Sequence, residues 1–451
     1  MRIAYRLPSA APLLLALSCL LTCPRLSALE FPNPAMVTGT QAVGVNPAQL
    51  ASTMRPRFEY QLLQARAGLD NNSFSGSQYN RYTGAFLDSA AKQNILSSVP
   101  EAGLRLNSDA DLNGLAFTTG IFGLAVRGHA AASGTIPRDM IDLALNGNQL
   151  DRRYSASNLQ GEAIAYSDVT LGFGVPLARG FETGIGLKYM RGIFVAQNTQ
   201  VDGYLLTTPY VINSEVLAGY RWAHGGNGYG LDWGMTYEWG SGGQGSEVGG
   251  QKSFAVGRHL RVALALTNLN LGINWTTRPG AAVLKVNLDS VNLMQLVDSH
   301  GAGATEFVQS QPGAFKTQLP FFVNLGAACE PAWGLTVGLS ILEGSQNSAL
   351  SSLMPAATVS AEYRGVRWLP LSAAVTAGGR DGFGLEAGLG LQCRGFELQA
   401  QIANQGGVAL SARGLSAGLS ISYRSRGQTE SDIMRLHYDS LNGNRDETTR
   451  E

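Results

Sequence analysis

The stretch of residues 229–239 alternates strictly between two kinds of side chain. A period of two places successive side chains on opposite faces of a β-strand, so this stretch has one apolar and one polar face. A soluble sandwich turns such an apolar face toward its core, whereas a membrane barrel turns it outward toward lipid. The rest of the chain decides between these two folds. The apolar set is Tyr229, Leu231, Trp233, Met235, Tyr237 and Trp239, and the polar or small set is Gly230, Asp232, Gly234, Thr236 and Glu238.

The composition favours a glycine-rich β protein. The 451 residues include 56 glycines, and only 15% of the residues are charged. Ordinary soluble domains have roughly 25% charged residues and about 7% glycine. The formal net charge is zero, which argues against a broad basic surface for nucleic acid. We therefore expect no nucleic-acid partner.

The N-terminus has the pattern of a secretory signal peptide, which we assign to residues 1–28. Arg2 and Arg6 precede an apolar run over residues 13–21, and residues 26–28 offer a small-residue cleavage site. The run is too short to span a bilayer, and no later segment has the roughly 18 consecutive apolar residues that a transmembrane helix needs. The exported chain is therefore either a soluble protein or a barrel in an outer membrane.

About fourteen stretches share the alternating pattern of a strand. Long and short connections alternate between most of them, as in bacterial outer-membrane barrels, and both termini then lie on the periplasmic side. Residues 85–99 and 136–145 predict short helices, whereas residues 195–228 and the connection 276–319 are not assigned to wall strands. The predicted strands are 58–69, 112–119, 122–132, 163–175, 181–190, 229–239, 260–275, 321–330, 333–342, 356–364, 367–377, 383–393, 395–404 and 414–424.

Two irregularities stand out in these strands. At Asn268 the apolar phase slips by one residue, which indicates a β-bulge. In the third strand, Gly123, Gly128 and Gly134 leave an unusually slim inner or outer surface. A lateral opening toward the membrane and close packing on the N-terminal segment both explain these glycines, and we favour close packing.

The positions of the six tryptophans favour the barrel over the sandwich. They fall at or near strand ends, where aromatic girdles mark the two membrane interfaces. We therefore expect an all-β fold, an antiparallel transmembrane β-barrel of about 14 strands. The polar phase then faces the lumen, with Asp232, Glu238, Lys188 and Arg261 as lumen-facing candidates. The tryptophans are Trp222, Trp233, Trp239, Trp275, Trp333 and Trp368.

Several short motifs resemble those of a known superfamily. Residues 46–51, Asn-Pro-Ala-Gln-Leu-Ala, are similar to the N-terminal signature of FadL-like outer-membrane proteins, the long-chain fatty-acid transporters and their PorV-like relatives. Residues 268–275 resemble the Asn-Leu-Gly strand of that superfamily, and residues 319–326 resemble the Leu-Pro strand that follows it. Residues 186–192 and the Ile-Pro helix start at 136–137 look most like the uncharacterised DUF5723 branch.

The resemblance implies a barrel whose lumen contains an N-terminal hatch. The chain then divides into a signal peptide (1–28), a hatch or plug segment (29–56), the outer-membrane barrel (57–424) and a polar periplasmic tail (425–451). Asn46, Pro47 and Ala48 are the hatch candidates. The lead before Asn46 is shorter than in fatty-acid transporters, and the chain ends without the terminal aromatic residue that is usual in barrels.

Two functions follow from this interpretation. The first is an outer-membrane channel for passive, hatch-gated uptake of small hydrophobic compounds such as fatty acids. The alternative is a closed barrel that serves as an anchor or as a secretion and assembly scaffold, as PorV-like relatives imply. Partners would be outer-membrane lipid, a hydrophobic small molecule, the barrel-assembly machinery and, for the scaffold, a periplasmic or secreted protein.

An enzyme is not expected. The sequence has neither a G-x-S-x-G nor an H-E-x-x-H motif, and its five histidines lack the spacing of a metal site. Glycines 240, 242 and 245 fit G-x-G-x-x-G formally, but no helix follows them, so we assign a flexible loop. We accordingly predict no catalytic residue, cofactor or metal.

Overall fold

The computed structural model describes residues 32–52, 55–239, 260–291, 304–332, 334–366 and 368–425. The predicted signal peptide (1–28) and all but the first residue of the predicted tail (425–451) lie outside the described residues. The glycine motif at positions 240–245 also lies outside them.

Fourteen of the described strands form a closed antiparallel barrel, which confirms the expected fold class. The barrel closes because the first wall strand pairs with both the second and the last. The wall strands are β1 (Phe58–Asn71), β2 (Leu104–Thr119), β3 (Phe122–Ile136), β5 (Gln160–Ala178), β6 (Phe181–Thr207), β7 (Ile212–Trp239), β8 (Leu260–Trp275), β12 (Phe322–Ala332), β13 (Leu335–Gly344), β14 (Ala356–Tyr363), β15 (Leu371–Gly378), β16 (Gly382–Cys393), β17 (Phe396–Gln405) and β18 (Gly414–Arg424).

Four further strands extend one end of the barrel. Three of them pair with the arms of β6, β7 and β8 on the side of the long loops, which we call the outer end, and the fourth, β10, pairs with β9. The opposite end, with the short turns and the start of β1, is the inner end. The additional strands are β4 (Arg153–Ser155), β9 (Gly280–Val291), β10 (Ala304–Ser310) and β11 (Phe315–Thr317).

The described helices are short. None of them is long and apolar enough to cross a membrane. Pro137 is the N-cap of the last α-helix, which confirms the helix predicted there. The α-helices are α1 (Ala42–Val45), α2 (Gly76–Tyr82), α3 (Ser89–Ser98) and α4 (Arg138–Asn146), and the 3-10 helices are Gly39–Gln41, Pro47–Leu50 and Ala409–Ser411.

The two faces of β7 differ as its sequence predicts. Tyr229 and Trp239 are 62% and 71% exposed, on the outside of the barrel, whereas Asp232 is 0% exposed and Thr236 is buried on the inside. The outer face of this strand is therefore the lipid face, because a membrane barrel carries its apolar band outward.

Several strands are longer than the sequence indicated. β6 and β7 have 27 and 28 residues and include most of residues 195–228, which had no assignment. β2 begins at Leu104, eight residues before the predicted start. The predicted connection 276–319 contains β9, β10 and β11. A membrane-spanning strand needs only about 9–11 residues, so the arms of β6 and β7 rise well beyond the bilayer.

The predicted bulge at Asn268 is confirmed. Leu231 pairs with Leu269 and Trp233 with Leu266, so two residues of β8 oppose Asp232. Asn268 has φ 60°, a left-handed conformation that Asn tolerates better than most residues. The slim third strand, in contrast, leaves no break in the wall, because β3 pairs with β2 and β5 along nearly its whole length.

Candidate functional site

The N-terminal segment, residues 32–52, packs against the inner faces of the wall strands. Asn46 and Ala48 are fully buried, and Pro47 is buried between them. The Asn46 side chain accepts a hydrogen bond from the Ala48 backbone N–H at 3.2 Å, which caps the short helix Pro47–Leu50. Its Nδ2 donates to the Pro34 carbonyl oxygen at 2.9 Å and to Thr236 Oγ1 on β7 at 3.0 Å. These contacts fix the segment to itself and to the wall at once.

Glycines in the wall make room for this segment. At seven inward-facing glycines, an added Cβ would lie within 3.0 Å of an atom of the segment. A larger residue at any of these positions would force atoms of the segment to move, since real Cβ atoms essentially never come so close. We call this set the socket glycines. They are Gly123 on β3, Gly172 and Gly174 on β5, Gly184 on β6, Gly234 on β7, Gly326 on β12 and Gly338 on β13.

The segment has matching glycines of its own. A Cβ on Gly44 would collide with the guanidinium of Arg127, and a Cβ on Gly39 would collide with the carboxylate of Glu59. Thr40 Oγ1 also donates to Glu59 Oε1 at 3.0 Å. The fit is therefore reciprocal, with charged wall residues lying on the backbone of the segment.

A cavity of about 320 Å³ lies between this segment and the outer end of the barrel. Pro32, Gly44 and Val45 of the segment border one side of it. Residues 349–352 of the loop between β13 and β14 and residues 379–381 of the turn between β15 and β16 also line it. We call this cavity the chamber.

One side of the chamber carries a network of charged side chains. Arg66 of β1 contacts Asp109 of β2. His129 of β3 lies between two carboxylates, with Nδ1 2.6 Å from Asp111 Oδ1 and Nε2 2.9 Å from Asp168 Oδ2.

Asp168 connects this network to the segment. Arg127 Nη2 donates to Asp168 Oδ1 at 2.9 Å and to Thr170 Oγ1 at 2.8 Å. Asp168 and Thr170 are fully or almost fully buried. The guanidinium that lies on Gly44 is thus held in place by partners in the wall.

A second ionic contact forms at the bulge of β8. Lys188 Nζ on β6 donates to Asp232 Oδ1 at 3.0 Å, and the backbone N–H of Asn268 donates to the same oxygen at 2.6 Å. Lys188 is 8% exposed and Asp232 is 0% exposed, so both charges are removed from bulk water. The bulge is what turns the Asn268 N–H toward this carboxylate, because it takes that residue out of the regular ladder.

An apolar cluster lies beside the chamber toward the outer end. Phe315 of β11 and Leu350 of the β13–β14 loop pack against it. A second cavity of about 250 Å³ shares Ala349 and Leu350 with the chamber. The cluster consists of Ile164, Tyr166, Met190, Val195, Ala223, Ile273, Trp275 and Leu319.

The loop between β13 and β14 is fixed in this position by polar contacts. The Ala349 backbone N–H donates to the Glu162 carboxylate, and Arg380 Nη1 donates to the Ala349 carbonyl oxygen at 3.2 Å. Leu350 and the neighbouring backbone therefore lie between the chamber and the second cavity.

The four lumen-facing candidates fall into two places. Lys188 and Asp232 lie at the chamber. Arg261 and Glu238 are cross-strand neighbours near the inner end, where Arg261 is buried and Glu238 is half-buried. Arg261 Nη2 is 3.9 Å from Glu330 Oε1. The structure does not bring these two groups together in one site.

Sequence reasoning missed most of the charged network. His129 is one of the five histidines without the spacing of a metal site, and Asp109 and Asp111 lie before the predicted second strand, which starts at residue 112. The outward residues beside them, Ser108 and Ala110, are small and hide the alternation. The available signal was that Arg127 and His129 share the polar phase of β3.

The described residues contain no group of three or more His, Cys, Asp or Glu side chains arranged to hold a metal ion. The lining of the chamber offers hydrogen bonds, charged groups and apolar contacts to a molecule inside it.

A family profile described as "Family of unknown function (DUF5723)" matches residues 57–220 and 211–403. These matches cover more than half of the chain. The chain belongs to the DUF5723 family. None of the curated proteins compared with it matches.

The fold of this DUF5723 protein is similar to that of a solved channel structure, and two further solved structures match with lower scores. The deltaS2 mutant of the TodX monoaromatic hydrocarbon channel has 10% identity and a TM-score of 0.50, and the match covers 86% of this chain and 95% of that chain. The Ralstonia pickettii toluene transporter TbuX has 12% identity and a TM-score of 0.46, covering 88% and 99%. A Pseudomonas aeruginosa FadL homologue has 13% identity and a TM-score of 0.46, covering 90% and 100%. These likenesses concern the fold alone.

Proposed function

We propose that this DUF5723 protein is an outer-membrane channel for passive, hatch-gated uptake of small hydrophobic compounds such as fatty acids. In this proposal the N-terminal segment is the hatch, with Asn46, Pro47 and Ala48 at its contact with β6 and β7. The signal peptide directs export, and the barrel-assembly machinery inserts the protein. The channel uses no catalytic residue, cofactor or energy source.

The observation that carries the proposal is the chamber between two obstructions. The N-terminal segment borders it on one side, and Ala349 and Leu350 of the β13–β14 loop border it on the other. An apolar cluster continues from the chamber past Leu350 toward the outer end. A hydrophobic molecule that enters from outside would follow this cluster, reach the chamber and leave when the hatch shifts.

The ligand class is extended from the fold relatives as part of the proposal. TodX is described as a monoaromatic hydrocarbon channel and TbuX as a toluene transporter. We propose the same broad class, small and mainly apolar molecules, for this chain. The hatch and the wall are then held in register by Lys188, Asp232 and the Arg127–Asp168 pair.

Two assays test the proposal. Uptake of a radiolabelled fatty acid or of toluene is measured in cells that lack their own channel, and we expect several-fold faster uptake with the protein than with an empty vector. Liposome swelling in a small sugar measures the open pore, because a sugar does not cross the lipid itself. We expect deletion of residues 32–52 to raise the swelling rate about tenfold or more, since the hatch occupies the lumen.

Gly114→Ala is the matched control, because a Cβ at Gly114 has no atom within 4 Å. Its uptake and swelling should equal those of the wild type. Uptake no faster than with the empty vector would reject the channel. Equal swelling by the wild type and the deletion variant would reject the gate.

The reciprocal fit between the hatch and the socket glycines favours one other function, a closed barrel that anchors or assembles other proteins. In that case the segment stays in place permanently, and the polar tail (425–451) binds a periplasmic or secreted partner. Stable co-purification of a partner that disappears when residues 426–451 are deleted, together with the absence of uptake, would support the scaffold.

A further inference from the structure

On the outward face of five neighbouring strands, one level near the outer end is occupied by polar residues. Ser167 on β5 pairs with Arg191 on β6, and Arg191 pairs with Asn227 on β7. Asn227 pairs in turn with Asn274 on β8, and Asn274 with Lys316 on β11. We call these five residues the polar row. Cross-strand neighbours lie side by side, so the row is continuous along the outside of the wall.

On β6 and β7 the levels below the polar row are apolar. Tyr189 and Tyr229 form the next level, with their ring centroids 5.6 Å apart, and both are exposed. Below them Leu187 pairs with Leu231, and Leu231 pairs with Leu269. A tyrosine level above aliphatic levels marks the outer girdle of a barrel. The polar row therefore lies at the height of the lipid headgroups.

The two cations of the row are available for a ligand. Arg191, Asn274 and Lys316 are exposed. Within the described residues, neither Arg191 nor Lys316 forms an ion pair with a carboxylate. Asn227 Oδ1 accepts hydrogen bonds from Arg191 Nη1 and from Tyr189 Oη, each at 2.8 Å. The arginine is thus held directly above the tyrosine girdle with further N–H groups free to donate.

We infer that the polar row binds the phosphate groups of a diphosphorylated glycolipid in the outer leaflet. Arg binds phosphate with two parallel N–H groups, and Lys binds it as a point charge. The Asn274 amide lies between them and supplies hydrogen bonds to the sugar. Three strand spacings separate Arg191 from Lys316, about 14 Å, which suits a headgroup with two phosphates better than one small anion.

The inference rests on the orientation of the barrel in the membrane and not on channel activity. A loss of lipid binding with normal uptake, or the reverse, would separate the two proposals. The row lies outside the wall, whereas the chamber and the hatch lie inside it.

The test uses the full-length protein in detergent and measures binding of diphosphorylated lipid A by native mass spectrometry. We expect Arg191→Gln and Lys316→Gln each to weaken binding about tenfold, and the double variant more than either, since each change removes a charge-assisted contact to phosphate. Lipid A without phosphates should bind the wild type about tenfold more weakly and should not distinguish the variants.

Lys285→Gln is the matched control. Lys285 is an exposed lysine on β9 that contacts Glu306 at 3.6 Å, and it pairs with Leu217, far up the arm of β7. Lys285→Gln also removes one positive charge, but at a position away from the tyrosine girdle. Its affinity for lipid A should therefore differ from that of the wild type by less than about twofold. Thermal unfolding followed by circular dichroism shows that each variant is folded.

Three outcomes would overturn the inference. The folded double variant could bind lipid A as tightly as the wild type does. Phosphatidylglycerol could bind as tightly as lipid A and lose affinity in the same variants, which would show a general anionic-lipid surface. Inorganic phosphate at low concentration could displace lipid A, which would show a site for the free anion.

Discussion

The inner faces of strands β5–β7 and of strands β16–β18 differ in what fills the lumen in front of them. On β5–β7 the inward residues include four of the socket glycines, and the N-terminal segment fills the space in front of them. On β16–β18 the inward residues include Gln399, Gln401 and Ser420, which project their own polar groups into the lumen. The inward side chains of the wall are therefore small where another part of the chain fills the barrel, and they are larger where it does not.

Glycine itself has different neighbours on the two sides. A Cβ at Gly184 would meet the backbone of Pro47 and Ala48, whereas a Cβ at Gly388 on β16 would meet the side chains of Ser372 and Gln401. Backbone cannot move without the whole segment, but a side chain can change rotamer. The same substitution should therefore report a docking site on one side and local packing on the other.

The largest expected difference concerns the buried ion pairs of the two regions. Asp232→Ala leaves the Lys188 ammonium without the carboxylate that it contacts at 3.0 Å. Breaking a buried pair in this way costs about 3–5 kcal/mol. Glu397→Ala should cost less, under about 2 kcal/mol, because Arg364 retains Glu362 at 2.5 Å and is partly exposed.

The measurement is the free energy of unfolding in lipid vesicles from denaturant titrations. Asp232→Asn is the companion variant, since it keeps the shape and one acceptor oxygen. Its free energy of unfolding should fall less than that of Asp232→Ala. Equal losses for Asp232→Ala and Glu397→Ala would show that the two regions are equally accessible to water.

The second difference tests the socket glycines. Gly184→Ala should weaken docking of the N-terminal segment by about 1–3 kcal/mol, the usual cost of overpacking. Gly388→Ala should cost less than about 1 kcal/mol, since Ser372 and Gln401 can move aside. The readout is the rate at which a protease cleaves the segment in the folded barrel.

For this pair Gly114→Ala again provides the baseline, because its Cβ meets no neighbour within 4 Å. Equally fast cleavage of the segment in Gly388→Ala and in Gly184→Ala would contradict the difference between the two inner faces.

The smallest difference concerns two threonines, one in contact with the segment and one in the wall alone. Thr236 accepts hydrogen bonds from Asn46 Nδ2 at 3.0 Å and from Gln49 Nε2 at 3.4 Å. Thr236→Val should cost about 1 kcal/mol and speed cleavage of the segment severalfold. Thr376→Val on β15 removes the 2.9 Å contact with Thr358 and should leave cleavage unchanged, because that contact joins two wall strands. Faster cleavage in the second variant would contradict this assignment.

The wall could be predicted from the sequence where lipid imposes a pattern. Residues 229–239 alternate because lipid faces one side of β7 and the lumen faces the other, and the bulge at Asn268 was visible as a slip of that phase. The arms of β6 and β7 rise above the bilayer, where no lipid requires an apolar face. Residues such as Asn198, Gln200 and Asp202 on β6 carry no such signal.

The site was less predictable, because it depends on which strands come together. Lys188 and Asp232 were both placed on the polar phase, but their contact follows from the pairing of β6 with β7. Gly123 was the one socket glycine singled out, since three glycines fell close together in a single strand. The other socket glycines are spread over five strands, and only the fold shows that they face one segment.

The position of the socket glycines also bears on how the protein assembles. Five of the seven lie on β3 and β5–β7, which are nearer to the N-terminal segment in the chain than β12 and β13 are, whereas β18 closes the barrel by pairing with β1. Contacts between segments that are near in sequence form with the smallest loss of chain entropy. In a barrel that pairs its strands in chain order, the segment docks on an open, curved sheet before β18 pairs with β1. Closure of the barrel then encloses the N-terminal segment, so the segment never has to enter a lumen that is already closed.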